Sequence, residues 1–209
     1  MVSVMVSVPT FGGSVKSACA EAIGNAVDRA VGDHDISRVV HHNVTGYDVA
    51  RARNMMARAA LEEEVDYLWT VDSDVIVPEH ALSTLLSHGA DVVTGWYVRG
   101  SSDTGMTPVV PEGSTSFMDS MTAAEVAEFA AAGVHALPAK GNGMGCALFR
   151  TSAFGQVPRP WFRFVDHDDG TALGEDYWFC HQLASAGKML LVDPSVGCGH
   201  IHDRILEAR

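Results

Sequence analysis

Apolar and polar positions along this chain switch between two periods, and the switches mark its elements. Val2–Val8 is a short β-prone run that predicts a first strand. Pro9-Thr10-Phe11-Gly12-Gly13 interrupts it, and Ser14 is placed to cap a helix reaching about Ala30. Ser37–His41 predicts a second strand, and Asp48 caps a helix running to about Glu63. Asp66–Val71 is a third strand. Pro78 opens a helix to about Ser87, and Ala90–Gly95 is a further strand. From Trp96 to Gly113 no period survives, which predicts a mobile loop long enough to be functional. Thr122 and Glu125 form a capping-box pattern for a helix to Ala132. Gly141–Gly145 precedes the apolar run Cys146–Phe149, and Trp161–Val165 is a short aromatic segment. Gly174-Glu175-Asp176 opens a helix to about Ser185, Gly187 ends it, and Met189–Val192 is the last strand. Strands alternating with helices predict one α/β domain with a mostly parallel central sheet flanked by helices.

Composition narrows the classes of function. At 209 residues and 47% apolar, the chain suits one domain with a sizeable core. The net charge of -12 argues against a mainly electrostatic nucleic-acid binder and against anchoring to an anionic membrane. No run is long enough for a membrane span, and Met1–Val8 lacks a cleavage-site pattern, so it reads as a strand and not a signal peptide. Cys19, Cys146, Cys180 and Cys198 lack C-x-x-C spacing, which leaves a zinc knuckle unsupported and suits a reducing, cytoplasmic setting.

Three polar clusters fall at element edges. Asp72 and Asp74 follow the third strand directly. If the strand end stays extended, both carboxylates point to one side with Ser73 opposite, and a divalent cation would relieve their repulsion. Glu175-Asp176 opens a helix. His200, with His202 as a bystander, follows the last strand. Two Asp and a neutral His suit Mn2+ or Mg2+, with imidazole favouring Mn2+. Each cluster also has a purely architectural reading: an acidic turn, acids answering a helix dipole, a turn histidine. Arg51, Arg53 and Arg58 likewise suit a solvated helix face. Gly141–Gly145 is no P-loop, since no Gly-Lys-Ser/Thr follows.

Taken in order, LWTVDSD, GEDYWFCHQLASAG and GCGHI, with Ala52-Arg53-Asn54 ahead of them, resemble the GT-A type of nucleotide-sugar glycosyltransferase. The pattern is similar to small bacterial or phage members of glycosyltransferase family 2 and covers Val4 to about His202. The resemblance implies a Rossmann-like GT-A domain, with about 1–95 binding the donor and about 96–209 facing the acceptor. It implies Asp74, Asp72 and His200 as metal ligands, and Asp72 and Ser73 beside the donor. Pro9 and Thr10 would border the nucleotide base, and Arg53 and Asn54 would lie near the donor phosphates. Asp176 would be the base that deprotonates the acceptor hydroxyl, as in an inverting transfer, with Trp161, Glu175 and Trp178 on the acceptor side. The partners implied are a UDP- or GDP-linked sugar and a hydroxyl acceptor of unassigned class, with homo-oligomerisation left open. Two other readings stand beside it: a nucleotidyltransferase on a related fold, and a non-catalytic nucleotide-sugar or glycan-binding module.

Overall fold

The computed structural model describes residues 1–99, 105–168 and 170–201. In chain order its elements are β1 (Val2–Thr10), α1 (Ser17–Asp33), β2 (Ile36–Thr45), α2 (Val49–Glu62), β3 (Tyr67–Val71), β4 (Val75–Ile76), α3 (Ala81–Ser87), β5 (Val92–Trp96), β6 (Val110–Pro111), α4 (Ala123–Ala131), β7 (Leu137–Gly141), β8 (Cys146–Arg150), β9 (Val165–Asp166), β10 (Ala172–Leu173), α5 (Glu175–Ser185), β11 (Leu190–Gly197) and β12 (Gly199–His200). Eight strands form one sheet in the order β2-β1-β3-β8-β5-β11-β7-β6. β1 runs parallel to β2 and β3, and β5 parallel to β11; β8 and β7 are reversed.

The period of two along the strands builds two apolar layers. Val4, Val6, Trp69 and Leu148 face α1 and α3; Met5, Leu68, Ala147 and Phe149 face α2 and α5. All five residues of β3 are buried, as expected of a strand covered on both faces. α1 buries Cys19, Ile23, Ala26, Val27 and Ala30, an i, i+4, i+7 stripe toward the sheet. The Asp48 side chain accepts from Arg51 N, and Thr122 and Glu125 cap each other's backbone, as the sequence predicts for α2 and α4.

Some expectations need correction. α1 begins at Ser17, after Lys16, so Ser14 is not its cap. The segment expected as an open loop from Trp96 to Gly113 is not open throughout. Met106 bridges Thr122, Val109 and Val110 are fully buried, and Val110 pairs beside β7 in the sheet. Gly100, Asp103 and their neighbours lie outside the described residues, as does His202. β7 was not expected, because Pro138 interrupts a strand of only five residues.

The topology creates the site. β1 leads to β2 on one side and, after α2 crosses back, to β3 on the other. Such a reversal opens a crevice beyond the carboxyl ends of the two inner strands. Pro9 and Thr10 end β1 there, and Asp72–Asp74 follow β3. Because β8 is reversed, its entry, not its exit, reaches the same edge, which brings Gly141–Gly145 beside Asp72. The Asp72 N–H donates to the Gly145 carbonyl at 3.0 Å.

Candidate active site

The chain turns sharply after β3. Val75 N donates to the Asp72 carbonyl at 3.1 Å, closing a four-residue turn. Asp72, Ser73 and Asp74 therefore do not splay as an extended end would. All three line one cavity of about 250 Å³ with Pro9, Thr10, Phe11, Tyr47 and Val49. Thr10 is fixed in its wall by Thr45 Oγ1 at 2.9 Å.

The two carboxylates have separate partners. Asp72 receives one nitrogen of Arg53 on both oxygens, at 3.0 and 3.1 Å. The other terminal nitrogen of Arg53 donates to Glu175. Arg53 is 4% exposed and Glu175 7%, so two members of this acid–base–acid bridge are buried while the third, Asp72, reaches the cavity. Asp72 and Glu175 hold the guanidinium charged against the cost of burial. Asp74 faces His200, Oδ2 to Nε2 at 3.5 Å. His200 Nδ1 lies 3.1 Å from the Val98 carbonyl oxygen. An Nδ1–H donated to that carbonyl leaves Nε2 aimed at Asp74, the tautomer that a cation-binding imidazole needs. The Asp74 carboxylate also pushes the imidazole toward its protonated form, and a cation would displace that proton.

The donor types of Asp74 and His200 thus fit Mn2+ or Mg2+. Asp72, the other carboxylate expected in the set, is held by Arg53 on both oxygens. Among the described residues no three His, Cys, Asp or Glu side chains are gathered into a cation cage.

Asp176 sits in the first turn of α5. It lines a second cavity of about 420 Å³ with Tyr97, Arg99, Pro108, Phe117 and Gly174. Its Oδ1 accepts from the Tyr177 N–H at 2.7 Å. A helix N-terminus favours the ionised carboxylate, but here burial wins and raises the pKa of Asp176, opposed in part by Arg53 and Arg99. A carboxylate shifted upward is a stronger proton acceptor.

Tyr97, which lines the second cavity, was not anticipated. Its ring meets His200 edge-on at 5.0 Å between centroids. Burial, with Asp72 and Asp176 nearby, keeps its hydroxyl protonated. The glycine loop exists to admit it. A Cβ at Gly143 would lie 2.2 Å from the Tyr97 hydroxyl, and one at Gly145 would lie 2.8 Å from its ring and 3.2 Å from Asp72 Oδ2. Asn142 anchors the loop to β5 through Thr94 Oγ1 and the Gly95 carbonyl, both at 2.7 Å. The available signal for Tyr97 was its place immediately beyond a strand that ends at the ligand edge; Tyr47 and Phe11 had no comparable signal.

Several expected contacts fall elsewhere. Asn54 does not face the donor cavity. Its amide nitrogen donates to the carbonyls of Ala50 and Phe162, and its oxygen accepts from the N–H groups of Trp161 and Phe162. Trp161 is 3% exposed, with its indole N–H on the Phe154 carbonyl, so it offers no open face to a sugar. Trp178 is covered by Arg163, whose guanidinium carbon lies 3.8 Å from the ring centroid. Glu175 lies behind the site, on Arg53.

No family model matches the sequence, and no curated protein matches it. Solved structures do share the fold. A197 from STIV superposes with a TM-score of 0.62 at 18% identity, over 96% of this chain and 86% of that one. GalNAc-T7, in a crystal structure with UDP, GalNAc and Mn2+, superposes with a TM-score of 0.57 at 13% identity, over 96% of this chain and 44% of that one. The chain has the α/β architecture of GT-A glycosyltransferases.

Proposed function

We propose that the chain is a metal-dependent glycosyltransferase that moves a sugar from a nucleotide diphosphate to an acceptor hydroxyl. One observation carries this reading. One cavity is lined by Asp72–Asp74 and another by Tyr97 and Asp176, and Gly145 packs against both Tyr97 and Asp72. That is the arrangement a displacement needs: charge accommodated on the leaving side, a proton acceptor on the attacking side. GalNAc-T7, which shares the fold, was crystallised with UDP, GalNAc and Mn2+.

In this reading the base rests between Pro9, Thr10 and Tyr47, and the diphosphate reaches Asp74. Asp74 and His200 hold Mn2+ or Mg2+. The cation, when bound, supplies positive charge against the departing diphosphate. Arg53 holds Asp72 oriented toward the donor through both carboxylate oxygens, and does not touch the phosphates itself. Asp176 accepts the hydroxyl proton as the acceptor oxygen attacks the anomeric carbon from the face opposite the leaving group. Tyr97 and Arg99 close the reacting centre from water.

The test is thermal stability of the purified chain against UDP- and GDP-sugars with Mn2+, Mg2+ or chelator. A donor well above its dissociation constant raises stability by about 3 kcal/mol. Stabilisation by one nucleotide class that is lost on chelation and in Asp74→Ala supports the reading. Stabilisation by nucleoside triphosphates alone points to a nucleotidyltransferase, and donor binding without any turnover to a binding module.

A further inference from the structure

A second kind of concavity lies apart from the acidic turn. It is a groove of about 700 Å³ between α2 and the segment 159–164, lined by Arg51, Arg58, Arg159 and Arg163 over a floor that includes Ala50, Pro160 and Phe162. The chain carries 14 Lys and Arg against 26 Asp and Glu, so four of its 14 cations meet here while acids dominate elsewhere. One carboxylate, Asp48, also lines the groove, and it is engaged in capping α2.

These arginines are positioned, not merely nearby. Arg51 lies over Tyr47 at 4.4 Å, Arg159 over Trp161 at 4.5 Å and Arg163 over Trp178 at 3.8 Å, each measured to the ring centroid. Among the described residues none of these three forms an ion pair; Arg58 alone pairs, with Glu62 at 2.7 Å. A guanidinium stacked on a ring keeps its in-plane N–H groups available, and that edge matches phosphate in two-point geometry. Asn54 fastens the opposite wall by holding the backbone of Trp161 and Phe162 to α2. Phe164, 57% exposed, adds an apolar surface at the rim.

The groove also adjoins the donor cavity. Tyr47 and Val49 line that cavity, while Asp48, Ala50 and Arg51 line the groove, so the first turn of α2 separates the two. Arg163, stacked on Trp178 of α5, lines the groove from the other wall.

We infer that this groove binds an organophosphate, a phosphate or diphosphate joined to an apolar body. The phosphate lies on the arginine edges and the apolar body on the floor. The surrounding negative charge disfavours an extended polyanion and confines the attraction to a ligand of groove size.

The test is isothermal titration of the full chain with decyl phosphate, phenyl phosphate and decanol, and with a single-stranded oligonucleotide. Both phosphates should bind, and decanol should not. Arg159→Gln/Arg163→Gln should weaken them by about ten-fold or more, since charge-assisted hydrogen bonds are lost, without changing the thermal shift given by a nucleotide sugar. Preference for decyl over phenyl phosphate would identify a lipid-like body, and the reverse a compact planar one. Equal binding of decanol, or affinity untouched by the double substitution, would overturn the inference. So would tighter binding of the oligonucleotide, which would make the groove a nucleic-acid site. Phosphate binding without any donor shift would sink the glycosyltransferase reading while leaving this site; a donor shift without phosphate binding would sink this inference alone.

Discussion

Arg53 donates from one nitrogen to both oxygens of Asp72, at 3.0 and 3.1 Å, across a separation of 19 residues. One fork thus ties the middle of α2 to the turn after β3, and its other arm reaches the start of α5 through Glu175. Three elements that are distant in sequence are fixed on one buried charge.

Arg53→Ala leaves Glu175 buried without its counter-charge. Stability should fall by about 3–5 kcal/mol. Arg53→Lys should recover only part of this, because an ammonium cannot serve two carboxylates in forked geometry. Urea unfolding of the three proteins, followed by tryptophan fluorescence, checks both statements.

Asp176→Asn should keep donor binding and lose transfer by about a hundred-fold or more, the usual scale of a removed general base. In the parent protein, transfer should rise with pH through a midpoint above the ordinary Asp value of 3.8, since burial raises this carboxyl and only the ionised form accepts a proton. Unchanged turnover in the Asn variant removes Asp176 from the mechanism.

Gly143→Ala places a methyl 2.2 Å from the Tyr97 hydroxyl. The clash should cost about 1–3 kcal/mol, the scale of overpacking. In a Tyr97→Phe background the same substitution should cost clearly less, because the atom it strikes is gone. A double-mutant cycle of unfolding free energies measures the coupling; additive effects would mean that the glycine serves another purpose.

Asp66 accepts from the backbone N–H and the hydroxyl of Ser3, both at 2.7 Å, which hold its pKa below 3.8. A depressed carboxyl stabilises the fold above its unfolded-state value, and that contribution is lost as pH falls through the folded value. Asp66→Asn should therefore cost up to about 1 kcal/mol at neutral pH, discounted for exposure, and progressively less below pH 3.8. Unfolding curves at pH 7 and under acid conditions compare the two proteins.

The strands, the helices of the two faces and the acidic turn were legible because each rests on a local pattern. Val4 and Val6 against Met5 show which face each residue takes, and Asp48 and Thr122 announce their helices. What was not legible depends on partners remote in sequence. Arg53 reads as one of three arginines on a helix, yet Glu175, 122 residues away, draws it into the interior. Asn54 sits beside it and instead clamps a segment 107 and 108 residues on. Trp161 carries the signature of a sugar platform and of a core aromatic alike, and only packing against Phe154 decides. The splay expected of Asp72 and Asp74 assumed an extended backbone, where the chain makes a turn.

The reversed direction of β8 divides the molecule into ends with different tolerance for engineering. The entry to β8 is crowded by Tyr97 and Asp72, so lengthening the Gly141–Gly145 loop should disrupt the crevice. Its exit lies at the far end of the sheet, where the Arg150 side chain reaches the Gly89 carbonyl and Thr151 N–H bonds to Asp66. The turn at His88–Ala90 belongs to that same end. A fluorophore or surface tether placed in this turn would report on or immobilise the protein from the side remote from Asp74 and Asp176, leaving both cavities open to solution.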